Sequence, residues 1–172
     1  IVNPVFILPG AIAERAAGMV EGLYASSTVG VGQFCTNPGL IVLQRSPAAE
    51  QFVKDMAARL TATLEGVMLT PGIRKNFTAN TTARAHQPGV KVLAQGNATS
   101  MCSAAPVWFE TGAKEFLGNH ALSEEIFGPS SLVIWCQDAA EMMSVARELE
   151  GSLTATVHAG AAEAKEQGPL MD

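Results

Sequence analysis

One of the three cysteines stands apart from the others. The run Gly30-Val31-Gly32-Gln33-Phe34-Cys35-Thr36-Asn37-Pro38-Gly39 sets three glycines and a proline around one thiol, and no apolar period passes through it. Glycine tolerates left-handed dihedrals and lets a ligand approach the backbone, so a cysteine held there is presented to something. A free thiol is only a few per cent ionised near neutral pH, yet it is intrinsically very nucleophilic. Backbone N–H groups in such a turn could stabilise a thiolate, and later the oxyanion formed on an attacked carbonyl. The plain alternative is a structural cysteine in a loop.

Other candidates are weaker taken singly. Glu124 and Glu125 precede Ile126-Phe127-Gly128-Pro129; adjacent carboxylates are commonly a solvated turn, and Phe127 is either a core ring or a brace for a planar ligand. Cys102, beside Met101 and Ala104, and Cys136, inside an apolar run, read as small buried hydrophobes. His158 ends a β-rich run and could serve Cys35 as a base in a cysteine hydrolase or acyltransferase; a satisfied histidine near a sheet edge is the simpler reading. Trp108 and Trp135 read as core. His86, His120 and His158 lie far apart and none stands at ligand spacing from a cysteine, so no metal site is expected. Neither a Rossmann glycine fingerprint nor a phosphate-binding loop is present. Any nucleotide used must be cradled mostly elsewhere.

The elements that must hold these residues can be read from period and punctuation. Val5-Phe6-Ile7-Leu8 is an unbroken apolar run ended by Pro9-Gly10, which predicts a strand buried on both faces. From Ala11 the period becomes helical through Ile12, Ala16, Met19, Val20 and Leu23, and this helix leads into the Gly-Cys loop. Gly39 to Leu43 predicts a second buried strand. Ser46-Pro47 is an N-cap with proline at the first helical position; the stripe Phe52, Val53, Met56, Leu60 and Leu64 follows, closed by Gly66. Residues 73–86 are expected to be helical, 90–94 and 106–110 extended, and 131–136 a further strand. Asp138 and Glu141 stand at capping-box spacing before a stripe of Met142, Met143, Ala146 and Leu149. Residues 154–157 form a β-rich run, and 161–165 a last helical fragment. Apolar strands alternating with amphipathic helices imply an α/β fold, three layers deep, with a largely parallel sheet covered on both sides.

Composition narrows the function. The 172 residues fit one ordinary domain, and 48 % hydrophobic content suits a well-filled core. A net charge of −5 without clustered Lys or Arg argues against a nucleic-acid partner. No apolar run approaches the roughly 18 residues of a membrane helix, and no signal peptide opens the chain. An odd cysteine count without C-x-x-C predicts free thiols in a reducing, cytoplasmic setting. The opening Ile1-Val2-Asn3-Pro4 and the stop at Met171-Asp172 read as the ends of a piece of a longer protein.

Together the fragments say more than they do apart. Gly32-Gln33-Phe34-Cys35, followed about ninety residues later by Glu124-Glu125-Ile126-Phe127-Gly128-Pro129, resembles the aldehyde dehydrogenase superfamily. The likeness extends over essentially the whole chain, through Asn3-Pro4, Pro106 to Glu110 and Leu153-Thr154-Ala155. The loop variant Gly32 to Gly39 is similar to that of α-ketoglutaric semialdehyde (2,5-dioxovalerate) dehydrogenases, with bacterial fatty-aldehyde dehydrogenases as the competitor. The resemblance implies the family's catalytic domain, without its dinucleotide-binding domain, oxidising a small-molecule aldehyde with NAD or NADP in a parent enzyme that is a dimer or tetramer. It implies Cys35 as nucleophile, its N–H as half of an oxyanion hole, Glu125 and Phe127 on the nicotinamide-ribose half of the cofactor, and Phe34 and Thr36 lining the substrate tunnel. The general base and the second oxyanion donor are expected outside these residues.

Overall fold

The computed structural model describes residues 2–165; Ile1, Met171 and Asp172, with which the expectation about the ends is concerned, lie outside them. Eight strands and five α-helices run in the order β1 (Asn3–Ile7), α1 (Pro9–Thr28), β2 (Pro38–Gln44), α2 (Pro47–Thr61), β3 (Gly66–Val67), α3 (Pro71–Ala85), β4 (Lys91–Gln95), β5 (Ser103–Ala104), β6 (Val107–Gly112), α4 (Ala113–Leu117), β7 (Ser130–Cys136), α5 (Ala139–Glu148) and β8 (Thr156–His158). Six strands form one sheet in the order β4-β6-β7-β2-β1-β8. Every pairing is parallel except that of β4 with β6. β3 and β5 pair separately as a short antiparallel ribbon.

Side-chain alternation divides the core in two. Val5, Ile7, Ile41, Leu43, Val133 and Trp135 face α1 and α2, where Met19, Leu23, Phe52, Met56 and Leu60 meet them. Phe6, Leu40, Val42, Leu132 and Ile134 face the opposite way, toward Phe77 of α3, Phe116 of α4 and Met142 of α5. Strands covered on both faces need apolar residues at every position, not at alternate ones, which is why β1, β2 and β7 read as unbroken runs. The three-layer α/β/α expectation is met.

Helix starts follow local chemistry. Ser46 and Thr70 accept the N–H groups of Ala49 and Ile73, each followed by proline in the first turn. Asp138 accepts from Glu141 N–H at 2.9 Å while the Glu141 carboxylate returns to the N–H of Gln137, one residue before the cap, at 2.7 Å, a variant of the capping box. Pro9 opens α1 instead of separating it from β1, and α1 bends at Arg15, whose φ is −151°.

Two expectations fail at the end of α2. Leu64 is 89 % exposed and beyond the helix, which ends at Thr61, and Gly66 begins β3. The stripe stops because Leu60 already reaches the sheet and the chain then turns away toward β3. In α5 the second buried residue is Val145, with Ala146 and Leu149 only packed at its edge. The fragment at 161–165 is a single 3-10 turn, Glu163–Lys165. No helix among the described residues is long and apolar enough to cross a membrane.

The contrast between the two leucines is measurable. Leu60→Ala removes a fully buried side chain and is expected to cost about 2–5 kcal/mol, whereas Leu64→Ala stays within about 0.5 kcal/mol. Urea denaturation of the two variants reads the difference.

Candidate active site

Because β1, β2, β7 and β8 run parallel, their starting residues lie along one edge of the sheet. Cys35 stands just before β2, Gly128-Pro129 just before β7 and Thr154 just before β8. Open α/β sheets usually bind ligands beyond the carboxyl ends of their strands; here the candidate chemistry gathers at the amino ends.

The cysteine loop reaches that edge through a left-handed turn. Gly30, Val31 and Gly32 have φ of 56°, 58° and 63°. For a β-branched residue such as Val31 this is a strained conformation. The turn is fastened by Gln33, whose N–H and side-chain amide both donate to Gly30 carbonyl, at 3.2 and 2.9 Å, while its Oε1 accepts Leu69 N–H at 2.8 Å. Gly32 is buried, and a Cβ there would lie 2.4 Å from the Gly128 carbonyl carbon. Glycine at 32 is thus required twice, for its φ and for the close passage of two backbones.

Phe34 to Asn37 forms the next turn, closed by Asn37 N–H donating to Phe34 carbonyl at 3.1 Å. Cys35 sits at its tip, exposed and unoxidised. Asn3, only 3 % exposed, holds the turn from below. Its Nδ2 donates to the Cys35 and Asn37 carbonyls at 2.9 and 3.1 Å, and its Oδ1 accepts Thr154 N–H at 3.1 Å. Asn37 Nδ2 in turn donates to Gly128 carbonyl at 3.2 Å. Among the described residues no hydrogen bond uses the Cys35 N–H or the Cys35 sulfur.

The candidate residues divide between two cavities. Glu125 and Phe127 line a narrow cleft together with Gly32 and Asn37 of the cysteine loop, with Arg84 in its wall. Glu125 is exposed and Phe127 is 39 % exposed, so neither is a core residue. Asn37 Oδ1 is buried with no hydrogen-bond partner among the described residues. Thr36 faces a different groove of about 430 Å³, which runs between α1 and β8 and includes Arg15, Met19 and His158. Phe34, half exposed, packs its ring against Gly30.

Cys102 is a correction. It is partly exposed, beside Met101 at 92 % exposure, because residues 101–102 form the turn that leads into β5, whereas Ala104 of that strand is buried in the core. Cys136 is fully buried in β7, and burial, with Glu141 and Asp138 adding to it, pushes its thiol up to about 12. Trp108 and Trp135 are core residues, as expected. His158 is shifted below the usual imidazole range, chiefly by burial and then by Arg15, and no imidazole among the described residues bonds to Cys35. Two residues escaped the sequence reading. Arg84 continues the spacing of Phe77 and Thr81 on the inner side of α3, a signal that was available. Asn3 gave none as a clamp, since its partners lie more than 30 positions away.

Comparison with known proteins decides the family. The model of the aldehyde dehydrogenase family matches residues 2–167. This chain belongs to the aldehyde dehydrogenase family. It is 41 % identical over 157 residues to alpha-ketoglutaric semialdehyde dehydrogenase 2 of Azospirillum brasilense, covering 91 % of this chain and 30 % of that protein. It is 35 % identical over 173 residues to alpha-ketoglutaric semialdehyde dehydrogenase of Acinetobacter baylyi, covering 99 % and 33 %. The chain therefore spans about a third of the length of these relatives. Among solved structures it shares its fold with glyceraldehyde-3-phosphate dehydrogenase of Methanocaldococcus jannaschii complexed with NADP, at a TM-score of 0.79 and 18 % identity, covering 99 % of this chain and 37 % of that one.

Three outcomes follow from this geometry. Replacing Asn3 by Leu leaves two carbonyls and an N–H unpaired at the strand edge and is expected to cost about 1–3 kcal/mol, read by thermal or urea unfolding. Iodoacetamide under native conditions is expected to label Cys35 first and Cys136 last. The Cys136 thiol stays protonated when folded but ionises once unfolded, so its contribution to stability falls as pH rises from about 9 toward 12. Comparing Cys136→Ala with the parent over that range checks the sign.

Proposed function

We propose that this chain is the cysteine-bearing catalytic domain of a longer enzyme. That enzyme oxidises an aldehyde to a carboxylic acid with NAD or NADP, and α-ketoglutaric semialdehyde, which would yield 2-oxoglutarate, is the favoured substrate. The observation that carries the reading is Cys35, exposed at the tip of a turn whose backbone is fixed by Asn3 and whose own N–H is free among the described residues. Two relatives named for α-ketoglutaric semialdehyde support the substrate.

In this reading the Cys35 thiolate attacks the aldehyde carbon. A C–S bond forms, and the carbonyl π electrons move to oxygen. The Cys35 N–H would supply one donor to that oxyanion; loss of such a donor typically slows turnover about 100- to 1,000-fold. Residues on the rim of the cleft beside the loop would hold the nicotinamide-ribose end of the cofactor. Glu125 offers a carboxylate acceptor for ribose hydroxyls, Phe127 offers an exposed ring face, and Asn37 Oδ1 is a buried acceptor without a partner among the described residues. When bound, the nicotinamide ring takes up the hydride that converts the thiohemiacetal on Cys35 to a thioester. Water then attacks the thioester carbon, the C–S bond breaks with its electrons returning to sulfur, and the carboxylic acid leaves. Phe34 and Thr36, flanking the nucleophile, would line the aldehyde's approach.

Cys35→Ala in the full-length enzyme is expected to abolish aldehyde oxidation, while Cys102→Ala and Cys136→Ala leave it largely intact; retained turnover in the Cys35 variant would refute the assignment. Glu125→Gln is expected to weaken cofactor placement more than Glu124→Gln. Equal effects on the cofactor KM would show the ribose contact to be misplaced.

A further inference from the structure

Among the described residues Arg84 is the one buried charged side chain, 7 % exposed. It leaves the last turn of α3 and enters the wall of the Glu125 cleft. Its Nη2 donates to the Glu124 carbonyl at 2.7 Å and to the Ala121 carbonyl at 3.3 Å. These oxygens belong to the short helical turn His120–Ser123 and to the residue that follows it. A one-turn 3-10 helix leaves most of its carbonyls without partners within the helix, so a buried donor must satisfy them. Burial brings the Arg84 guanidinium down to about 10, with Glu124 opposing the shift, and it remains a cation at neutral pH. Keeping a charge in a buried site is costly unless it makes good hydrogen bonds. Arg84 directs that charge at the peptide unit joining Glu124 to Glu125.

We infer that Arg84 is a positioning residue for cofactor binding: by gripping the Ala121 and Glu124 carbonyls it fixes where the Glu125 carboxylate stands on the rim of the cleft. The inference rests on the proposed role of Glu125 toward the cofactor ribose. Arginine suits the task because its fork of five donors can serve two carbonyls from one fixed plane. Glutamine at this position retains donors without the charge, and lysine retains the charge without the fork.

The test uses the full-length enzyme and two readouts. One is amide hydrogen exchange over residues 119–128 without cofactor; the other is equilibrium titration with NADH or NADPH, whichever the enzyme uses, followed by cofactor fluorescence. Arg84→Gln is expected to speed exchange in 119–128 and weaken cofactor binding about tenfold, with β7 exchange unchanged, and Arg84→Lys to speed the same exchange less and weaken binding about threefold. In a Glu125→Gln background, Arg84→Gln is expected to weaken binding less than about twofold further, since coupled residues are not additive.

Unchanged exchange in 119–128, or an equal loss of binding with and without Glu125, overturns the inference while leaving the dehydrogenase reading in place. Glu125→Gln that binds cofactor as tightly as the parent refutes the ribose contact, and the role of Arg84 falls with it. Should Arg84→Gln fail to fold, Arg84→Lys carries the test. Its exchange and its binding must then shift together, and movement in neither or in only one overturns the inference.

Discussion

The site depends on a single buried carboxamide. Asn3 stands where β1 begins and meets the segments that precede β2 and β8 with three hydrogen bonds. Each bond uses a group that the strand ladders leave free at the amino edge of the sheet. A hydroxyl could not donate twice and accept once in those directions, and a carboxylate could not donate to the two carbonyls at all. Because the amide is buried, each lost bond leaves a desolvated partner behind. The arrangement restrains the carbonyl side of Cys35 while its N–H and sulfur make no hydrogen bond among the described residues.

A second constraint comes from the other side of the loop. Gly32 lies against Gly128 so closely that the cysteine loop and the Glu125–Phe127 turn cannot shift independently. Asn37 ties the same two segments through the Gly128 carbonyl. Val31 holds a left-handed conformation that costs about 1–2 kcal/mol, offset by the bonds of Gln33 and by the packing of its own side chain against the Phe6–Leu40–Phe109 half of the core. Nucleophile and cleft are therefore built as one unit, and Arg84 fixes the far end of the cleft from beneath.

Much of this was legible in the residues. Strands buried on both faces announce themselves as unbroken apolar runs, and Ser46-Pro47 and Asp138 to Glu141 mark helix starts by local chemistry alone. The crowding of glycines around Cys35 anticipated the left-handed turn and the exposed thiol. What could not be read were the partners distant in sequence. Nothing near Asn3 indicates that it will meet Thr154, and nothing near Arg84 indicates the carbonyls of Ala121 and Glu124. Leu64 misled because a helical period continues past the point where the sheet ends, so the pattern persisted without a surface to bury it. Cys102 misled because its neighbour Ala104 is buried while Met101 and Cys102 itself lie on the turn before β5.

The central claim is that the Cys35 sulfur forms the covalent bond to the carbonyl carbon of the substrate. The direct measurement is acid quenching of the full-length enzyme during turnover of α-ketoglutaric semialdehyde with NAD or NADP, followed by trypsin and mass spectrometry. Cys35 is the only cysteine in the tryptic peptide from Ala16 to Arg45, so an acyl adduct there is unambiguous. An adduct is expected on that peptide, with the mass of the substrate acyl group, that decays as product forms. Turnover with that peptide unmodified at every quench time, and an adduct on the peptide of Cys102 or Cys136 instead, would contradict it.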